Sequence, residues 1–539
     1  MSTHVQPRGT QNDPVPMTVP LTYKFYEPVV LLKALNDDAR RNASPGSTPS
    51  SSSSSELDLE DADNLFQAFV YKLAHVCDSD KGRSGATITS FMVLRSELPE
   101  SRDDIVHYYF ASNYRNIPKL KETRAYVHAL LRKIGLAPED ADPYRSNMLR
   151  DIICFNQGRL RYYLTPLSRN VEECQQRLED LFGADSAMAD TGLARILTAL
   201  RQLQLEDTNM ARDAGFAFGC ERVMRRLTRF ERSPAGQAVA EHVREIHGAE
   251  QSSEDCWHQL QHAMSRILAY PKSLACMLKA RRRWPVLFNR YRVFYIPSSK
   301  FQDPLNGRPT SFSAEGIVGR LTRRVSDIEK FREYVKDLQI FDLDARIKAE
   351  FVDGALRPLV HSEVLLLNFL EFSDGGVTED RFFQGSAERM YIGSSKPLCR
   401  LCKYYFEAHP AGVGHRTTHG NLYKNWRFPD VLVSHGQRAR DGRIDMLDKV
   451  LKRIRADAFR LIMDRIDPSG KHNDSNTFSA NVSLRDDLST VLDFDDMDEI
   501  TSILDGASLG GGHDERDEAN DSIGSPSGLG TRSSNFQPS

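Results

Sequence analysis

The sequence has few cysteines, no long apolar run and no large excess of charge of either sign. Six of its eight cysteines are isolated, which is typical of small buried side chains in a reducing compartment rather than of a disulfide framework. No apolar stretch approaches the roughly 18 residues of a membrane span, and the start of the chain lacks a signal-peptide core. We therefore expect a soluble, intracellular protein, cytoplasmic or nuclear, that does not bind a membrane. The isolated cysteines are Cys77, Cys154, Cys174, Cys220, Cys256 and Cys276.

Charge is nearly balanced, with 71 basic and 74 acidic residues and a net charge of −3. The whole chain thus carries no field that attracts nucleic acid, and such binding would depend on a local patch. Basic and aromatic residues are concentrated in three clusters, which either form a groove for a single strand or are ordinary helix faces paired with acids such as Glu221. We also predict that the second and third clusters line the entrance to the reactive site described below. The clusters are Arg222, Arg225, Arg226 and Arg229; Lys279 and Arg281 to Trp284; and Arg290 to Arg292.

The two remaining cysteines have metal-ligand spacing. Cys399 and Cys402 form a C-x-x-C pair, and His361 lies upstream in the triplet His-Ser-Glu. One imidazole and two thiolates are three ligands for a tetrahedral zinc, and they leave the fourth position open, as in catalytic zinc sites. Glu363 lies close enough to face the metal without binding it, where it can move a proton between water and a substrate nitrogen.

This combination resembles the signature of the zinc-dependent nucleobase deaminases, H-x-E followed by P-C-x-x-C. Here Pro397 stands two residues before Cys399, not directly before it. Together with Ser395 and Lys396, this departure resembles the OTT-type nucleic-acid/nucleotide deaminase family of filamentous fungi, within the cytidine-deaminase-like superfamily. The resemblance is specific over roughly 340–430 and absent from both termini.

The resemblance implies a cofactor and a reaction. The cofactor is Zn²⁺, held by His361, Cys399 and Cys402, and Glu363 shuttles the proton. In that reaction zinc lowers the pKa of its bound water, Glu363 accepts a proton, and the exocyclic amine of a cytosine- or adenine-type base leaves as ammonia. The expected function is hydrolytic deamination of a nucleobase in a nucleotide or in single-stranded nucleic acid. Nothing in the sequence identifies the base.

A loop downstream of the cysteines, residues 414–426, is dense in polar and aromatic groups. We predict that His419, Asn421, Tyr423 and Trp426 contact the substrate base by stacking and hydrogen bonding. The alternative is a loop at the rim of the sheet that a buried tryptophan anchors.

Composition and periodicity divide the chain into four parts. The predicted fold class is α+β, with a large irregular α-helical N-terminal region followed by a three-layer α/β/α domain of the cytidine-deaminase type that the resemblance implies. The parts are a mobile arm and Ser-rich disordered insert over 1–60, a mainly helical domain over 61–340, the zinc deaminase-like domain over 341–467, and a disordered acidic tail over 468–539.

Four elements are expected around the motif. A hairpin over 345–360 precedes a helix that starts near His361, a strand over 389–393 follows, and the next helix bears both cysteines. The order hairpin, helix, strand, helix is compatible with the implied α/β/α fold.

A second class of function is also compatible with the sequence. A deaminase fold that is stabilised by zinc but inactive would serve as an interaction module, and the large helical region and the tail favour that alternative. In the tail, residues 484–505 interleave apolar and acidic side chains, which predicts a segment that either docks on a protein partner or stays unbound.

Overall fold

The chain is α+β and mostly helical, as predicted. The predicted Ser-rich insert, apart from the end of the first helix, and the predicted acidic tail lie outside the described residues. Among the residues described, no helix is both long and apolar enough to cross a membrane. The computed structural model describes residues 13–42, 61–81, 85–95, 105–138, 142–182, 193–209, 212–246, 255–302, 313–322, 324–339, 342–351, 356–373, 375–385 and 387–464.

Helices and strands are numbered in chain order. The helices are α1 Val19–Asn42, α2 Ala62–His75, α3 Ile117–Leu136, α4 Asp142–Phe155, α5 Gln157–Phe182, α6 Leu193–Asn209, α7 Arg212–Glu231, α8 Pro234–Ile246, α9 Cys256–Arg283, α10 Val286–Asn289, α11 Ala314–Leu321, α12 Val325–Leu338, α13 Leu343–Phe351, α14 Ser362–Glu371, α15 Arg400–Ala408 and α16 Gly436–Asp464. The strands are β1 Pro14–Val15, β2 Thr89–Arg95, β3 Val106–Ser112, β4 Tyr291–Ile296, β5 Tyr391–Ser394, β6 Gly414–His415 and β7 Val431–Leu432.

Polar caps and a continuous apolar face explain where several helices begin and end. The Asp61 side chain accepts hydrogen bonds from the first turn of α2, and Asn116 does the same for α3. The sequence predicts two helices, over 253–268 and 270–282, where the structure has one, α9, which continues through Pro271. Its buried face, with Ile267 and Leu274 on either side of the proline, runs unbroken along both halves. Packing of that face outweighs the hydrogen bond that proline removes.

One five-stranded sheet organises the centre of the fold, in the order β4-β3-β2-β5-β6. Strand β2 is antiparallel to both of its neighbours, whereas β3, β4, β5 and β6 run parallel to one another. Ser90, Ser112 and Ser394 therefore lie together at one end of the sheet, which we call the upper end. Arg95, Val106, Tyr291 and Tyr391 lie at the other, the lower end.

The hairpin of this sheet is not the predicted one. Residues 343–351 form the helix α13, in which Leu343, Ile347 and Phe351 are buried at helical spacing, so the predicted hairpin over 345–360 is wrong. The real hairpin is β2–β3, in the stretch predicted to be helical, where β-branched and aromatic residues favour strands. Strands from both sides of residue 340 thus share one sheet.

Helices cover both faces of the sheet. On one face Phe91, Val93 and Tyr108 join the core that includes α2. On the opposite face the Tyr109 ring packs against Phe369 of α14, with ring centroids 5.3 Å apart. The sheet is therefore the middle layer between α2 and α14. Five of the six isolated cysteines are buried as predicted, whereas Cys154 is exposed because it lies on the outer side of α4.

Candidate metal centre

Two helix starts meet at the upper end of the sheet. His361 is the N-cap residue of α14, and Cys399 is the N-cap residue of α15, which follows β5. A hydrogen bond holds the start of α14 in place, because the Ser362 backbone N–H donates to Asn113 Oδ1 at 2.8 Å. Asn113 lies just beyond β3. Cys402 lies in the first turn of α15, so its thiol faces the same space as that of Cys399.

The three predicted ligands converge. His361 Nδ1 lies 3.6 Å from Cys399 Sγ and 3.3 Å from Cys402 Sγ, and all three ligand atoms lie within 4.8 Å of one another. Tetrahedral coordination with a metal–nitrogen bond of about 2.1 Å and metal–sulfur bonds of about 2.3 Å separates nitrogen from sulfur by about 3.6 Å. The observed spacing therefore fits a bound metal ion. Both cysteines are buried, and His361 is the ligand with a partly exposed side chain, at 13%.

The pKa shifts at this cluster show that its side chains compete for one proton. Burial raises the pKa of the Cys399 thiol, but hydrogen bonds from Cys402 and His361, and positive charge on His361, lower it well below its usual value. Burial and the neighbouring Cys399 thiolate raise the pKa of Cys402. For His361, burial lowers the pKa, but the Cys399 thiolate and Glu363 raise it by more. A cation among these groups would replace the shared proton.

Glu363 lies beside the cluster, and a hydroxyl group holds its carboxylate in place. Its carboxylate is buried, with Oε1 4.0 Å from His361 Nδ1. The Ser362 hydroxyl donates to Glu363 Oε2 at 3.1 Å and lies 2.8 Å from the Ser90 hydroxyl of β2. A chain of hydroxyls thus runs from the sheet to the carboxylate. Sequence reasoning missed Ser90 and Asn113, and the one available signal was the serine inside the His-Ser-Glu triplet.

Two N–H groups donate to the sulfur atoms of the cluster. The Trp426 indole Nε1–H donates to Cys402 Sγ at 3.2 Å, and the Cys402 backbone N–H donates to Cys399 Sγ at 3.4 Å. The Trp426 ring is fully buried, against Phe25 and Phe428. Of the two predicted roles for this residue, the buried anchor is the one that the structure shows.

The other three predicted substrate-binding residues surround the start of α15. Tyr423 is 37% exposed, and its ring centroid lies 6.3 Å from that of His361. His419 is buried, and its Nδ1 accepts the Asn421 backbone N–H at 3.0 Å. The Asn421 carbonyl accepts the Arg400 backbone N–H at 3.0 Å. The loop therefore holds the helix start in place, and Tyr423 is the exposed one of the four residues.

A buried ion pair supports the strand-to-helix connection from the other side. Asp78 is buried, pairs with Arg159 of α5 and accepts the Ser395 hydroxyl at 3.1 Å. Burial raises the pKa of Asp78, but the Arg159 guanidinium, Lys396 and the Thr87 hydroxyl lower it by more, so the net shift is downward. Asp78 therefore stays ionised. No local pattern in the sequence indicates this pair, because Asp78 lies in the loop after α2 and Arg159 lies on α5.

The second and third basic clusters do not line the metal centre, so the prediction that they form its entrance is wrong. Trp284, next to Arg283, packs on Phe66 near the start of α2. The Arg290 backbone carbonyl accepts the Val106 backbone N–H at 2.9 Å, at the lower end of the sheet. The end of α9 and the short helix α10 thus bring these residues to the end of the sheet opposite the cysteines. That placement depends on strand order and not on local sequence.

Comparison with known proteins agrees with this geometry. Residues 360–430 match the family model described as OTT_1508-like deaminase. The matched stretch contains the three candidate ligands, Glu363 and Trp426. Neither the curated proteins nor the solved structures gave a match to the chain. The ligand cluster lies inside the matched residues, so this stretch of the chain is similar to the OTT_1508-like deaminase family.

Proposed function

We propose that this protein is a zinc-dependent hydrolytic deaminase that acts on a cytosine- or adenine-type base, in a nucleotide or in single-stranded nucleic acid. One observation carries the proposal. A buried carboxylate, Glu363, lies beside a His-Cys-Cys cluster and is held by a hydroxyl that donates to its second oxygen. A structural metal site needs no such group, whereas hydrolysis needs a group that moves protons.

The donor set favours zinc. Two thiolates and one imidazole at tetrahedral spacing suit this ion better than magnesium or calcium, which prefer oxygen ligands. Three protein ligands leave one position for water, and bound zinc would supply the activation of that water for attack. The partly exposed His361 marks the side from which a substrate reaches the cluster.

The residues of the chain then account for the proton transfers. Glu363 Oε1 takes a proton from the attacking water and delivers it to the ring nitrogen of the base. The second water proton leaves with the exocyclic amine, so that water and the amino base become ammonia and the oxo base. The Ser362 hydroxyl, bonded to Oε2, keeps the carboxylate aimed at the cluster. Tyr423, exposed next to His361, is placed to stack on the base.

We further propose that α2, the sheet, α14 and α15 form the three-layer α/β/α core of the cytidine-deaminase type. The hairpin β2–β3 and the unit α14-β5-α15-β6 supply the central strands and both ligand-bearing helices. Residues 117–290, nearly all helical in the described parts, would then be an insertion between β3 and β4. On this proposal the domain would start near residue 61, whereas the sequence predicts a start near residue 341.

Ammonia release tests the function. The purified zinc-loaded chain would be incubated with a panel of nucleosides, nucleotides and single strands, and we expect ammonia from at least one member. Glu363→Gln should keep about one zinc per chain but lose about 10²- to 10⁴-fold in turnover, because the amide cannot accept the proton. Glu371→Gln, at the far end of the same helix, is the matched control and should keep full activity.

Two outcomes would count against the proposal. A zinc-loaded chain that releases no ammonia from any substrate would favour the inactive interaction module. Full activity in Glu363→Gln would remove the assigned role even if the metal site stood.

A further inference from the structure

A cleft with a volume of about 1070 Å³ lies among α2, α4, α7 and α9, at the lower end of the sheet. Its walls carry six cationic side chains and one carboxylate, Glu221, an excess of five positive charges among the lining residues described. Apolar side chains, including Leu65 and Leu274, form the rest of the wall. We call it the basic cleft. Its cationic residues are Arg145, Arg225, Arg229, Lys279, Arg282 and Arg283.

The cations come from three different helices. Arg145 belongs to α4, Arg225 and Arg229 lie one turn apart on α7, and the other three occupy the last turns of α9. Basic residues at the end of one helix are ordinary, because they complement its dipole. A helix dipole does not explain why cations from three helices surround one concavity, where the one lining carboxylate among the described residues does not balance six of them.

Glu221 organises part of this wall. It is buried, and its carboxylate accepts from Arg150 Nε at 2.6 Å and from Arg225 Nη2 at 2.5 Å. Arg225 also donates to the Ser146 hydroxyl at 3.0 Å. The guanidinium of Arg225 is thereby held in one orientation before any ligand arrives, which lowers the entropy cost of binding.

We propose that the basic cleft is a second ligand site, which takes a compact molecule that bears several phosphate groups. A phosphate monoester carries about −1.5 to −2 charges at neutral pH, so about three of them match the five excess positive charges. Arginine suits phosphate because its planar fork donates two parallel hydrogen bonds. The site is distinct from the metal centre, which lies at the upper end of the sheet.

A compact ligand fits better than a polynucleotide. The cleft volume is close to that of sites for small molecules, about 300–1,000 Å³. A single strand would need a basic track that continues beyond the cleft, and one that fed its base to the metal centre would have to pass along the whole sheet. The cations of the cleft are instead gathered around one cavity.

Calorimetric titration of the zinc-loaded full chain tests this proposal. The probes are inorganic tripolyphosphate, inositol hexakisphosphate and a short oligothymidylate, each at low and moderate salt. We expect one polyphosphate to bind per chain, with a Kd that rises with salt. Arg229→Ala/Arg282→Ala should weaken that binding by at least about tenfold, through loss of charge-assisted hydrogen bonds. Both side chains are exposed, so the variant should fold.

The matched control is Lys121→Ala/Arg124→Ala, which removes the same charge from the exposed face of α3 and should leave the Kd within about twofold. Zinc content after titration excludes metal chelation as the source of heat. Equal weakening in both variants, or no polyphosphate binding to the wild type, would overturn the proposal. Tight binding of oligothymidylate without tripolyphosphate binding would replace it with a nucleic-acid site.

Discussion

The indole of Trp426 acts on the metal centre through its N–H group. That N–H lies 3.2 Å from Cys402 Sγ inside a fully buried aromatic cluster. Trp426→Phe removes the donor and keeps most of the apolar ring. We expect the affinity for zinc to fall by about 10- to 100-fold, as for other outer partners of metal ligands. Competition with a chromophoric chelator measures this change.

Trp284→Phe is the control for that variant. Trp284 is also buried but packs on Phe66, near the opposite end of the sheet. Its replacement should lower thermal stability and leave zinc affinity unchanged. An equal loss of affinity in both variants would mean that general loosening, and not the hydrogen bond to sulfur, is responsible.

The residues found from the sequence and those missed differ in how local their signals are. His361, Glu363, Cys399 and Cys402 were predicted because metal-ligand chemistry restricts both residue type and spacing. Ser90, Asn113 and Asp78 were missed because serine, asparagine and aspartate are common, and only the sheet brings them near the motif.

At the scale of elements, α1 is part of the metal centre's surroundings. Phe25 is buried and packs on Trp426 and Phe428, and the Tyr26 hydroxyl donates to the Trp426 carbonyl at 3.0 Å. Phe25→Ala should therefore destabilise the fold by about 3–5 kcal/mol through the cavity it leaves. It should also weaken zinc binding, because Trp426 loses the ring that packs against it. Chemical unfolding and chelator competition measure the two effects.

Val19→Ala tests whether those effects are specific. Val19 begins the same helix but is 60% exposed, so its truncation should change stability by no more than about 0.5 kcal/mol. A Phe25→Ala protein with wild-type zinc affinity would show that α1 stabilises the fold without supporting the ligands.

Elements with local signals were predicted well, and paired elements were not. The helices α2, α3, α12 and α16 follow from apolar spacing, and caps support α2 and α3. The hairpin β2–β3 was missed although its β-branched and aromatic residues favour strands, because β2 also pairs with β5, about 300 residues away, and no local pattern encodes that pairing.

Across the whole molecule, the Asp78–Arg159 pair links the helical region to the metal motif. Asp78→Asn leaves the buried guanidinium unpaired and should cost about 3–5 kcal/mol at neutral pH. The pKa of Asp78 is lowered in the folded state. Its stabilisation is therefore complete above about pH 4 and is lost as the pH falls through the folded-state value. Urea unfolding of both proteins at several pH values measures the gap between their free energies of unfolding.

We expect that gap to be constant from about pH 5 to 7 and to narrow below about pH 4. Asp151→Asn is the control, because Asp151 pairs with Lys133 on the surface and its loss should cost at most about 1 kcal/mol. A gap that stays unchanged in acid would show that the carboxylate's charge is not the source of the stabilisation.

The strand order of the sheet also has a consequence for how the protein is made. Strand β2 is the third strand across the sheet, yet its neighbour β5 is synthesised almost 300 residues later. Because synthesis starts at the N-terminus, one hydrogen-bonding edge of β2 stays unpaired until Ser394 has left the ribosome. Such an open edge pairs readily with other chains. A chain truncated before β5 should consequently aggregate. The protein is therefore most prone to aggregation during the interval before β5 is synthesised.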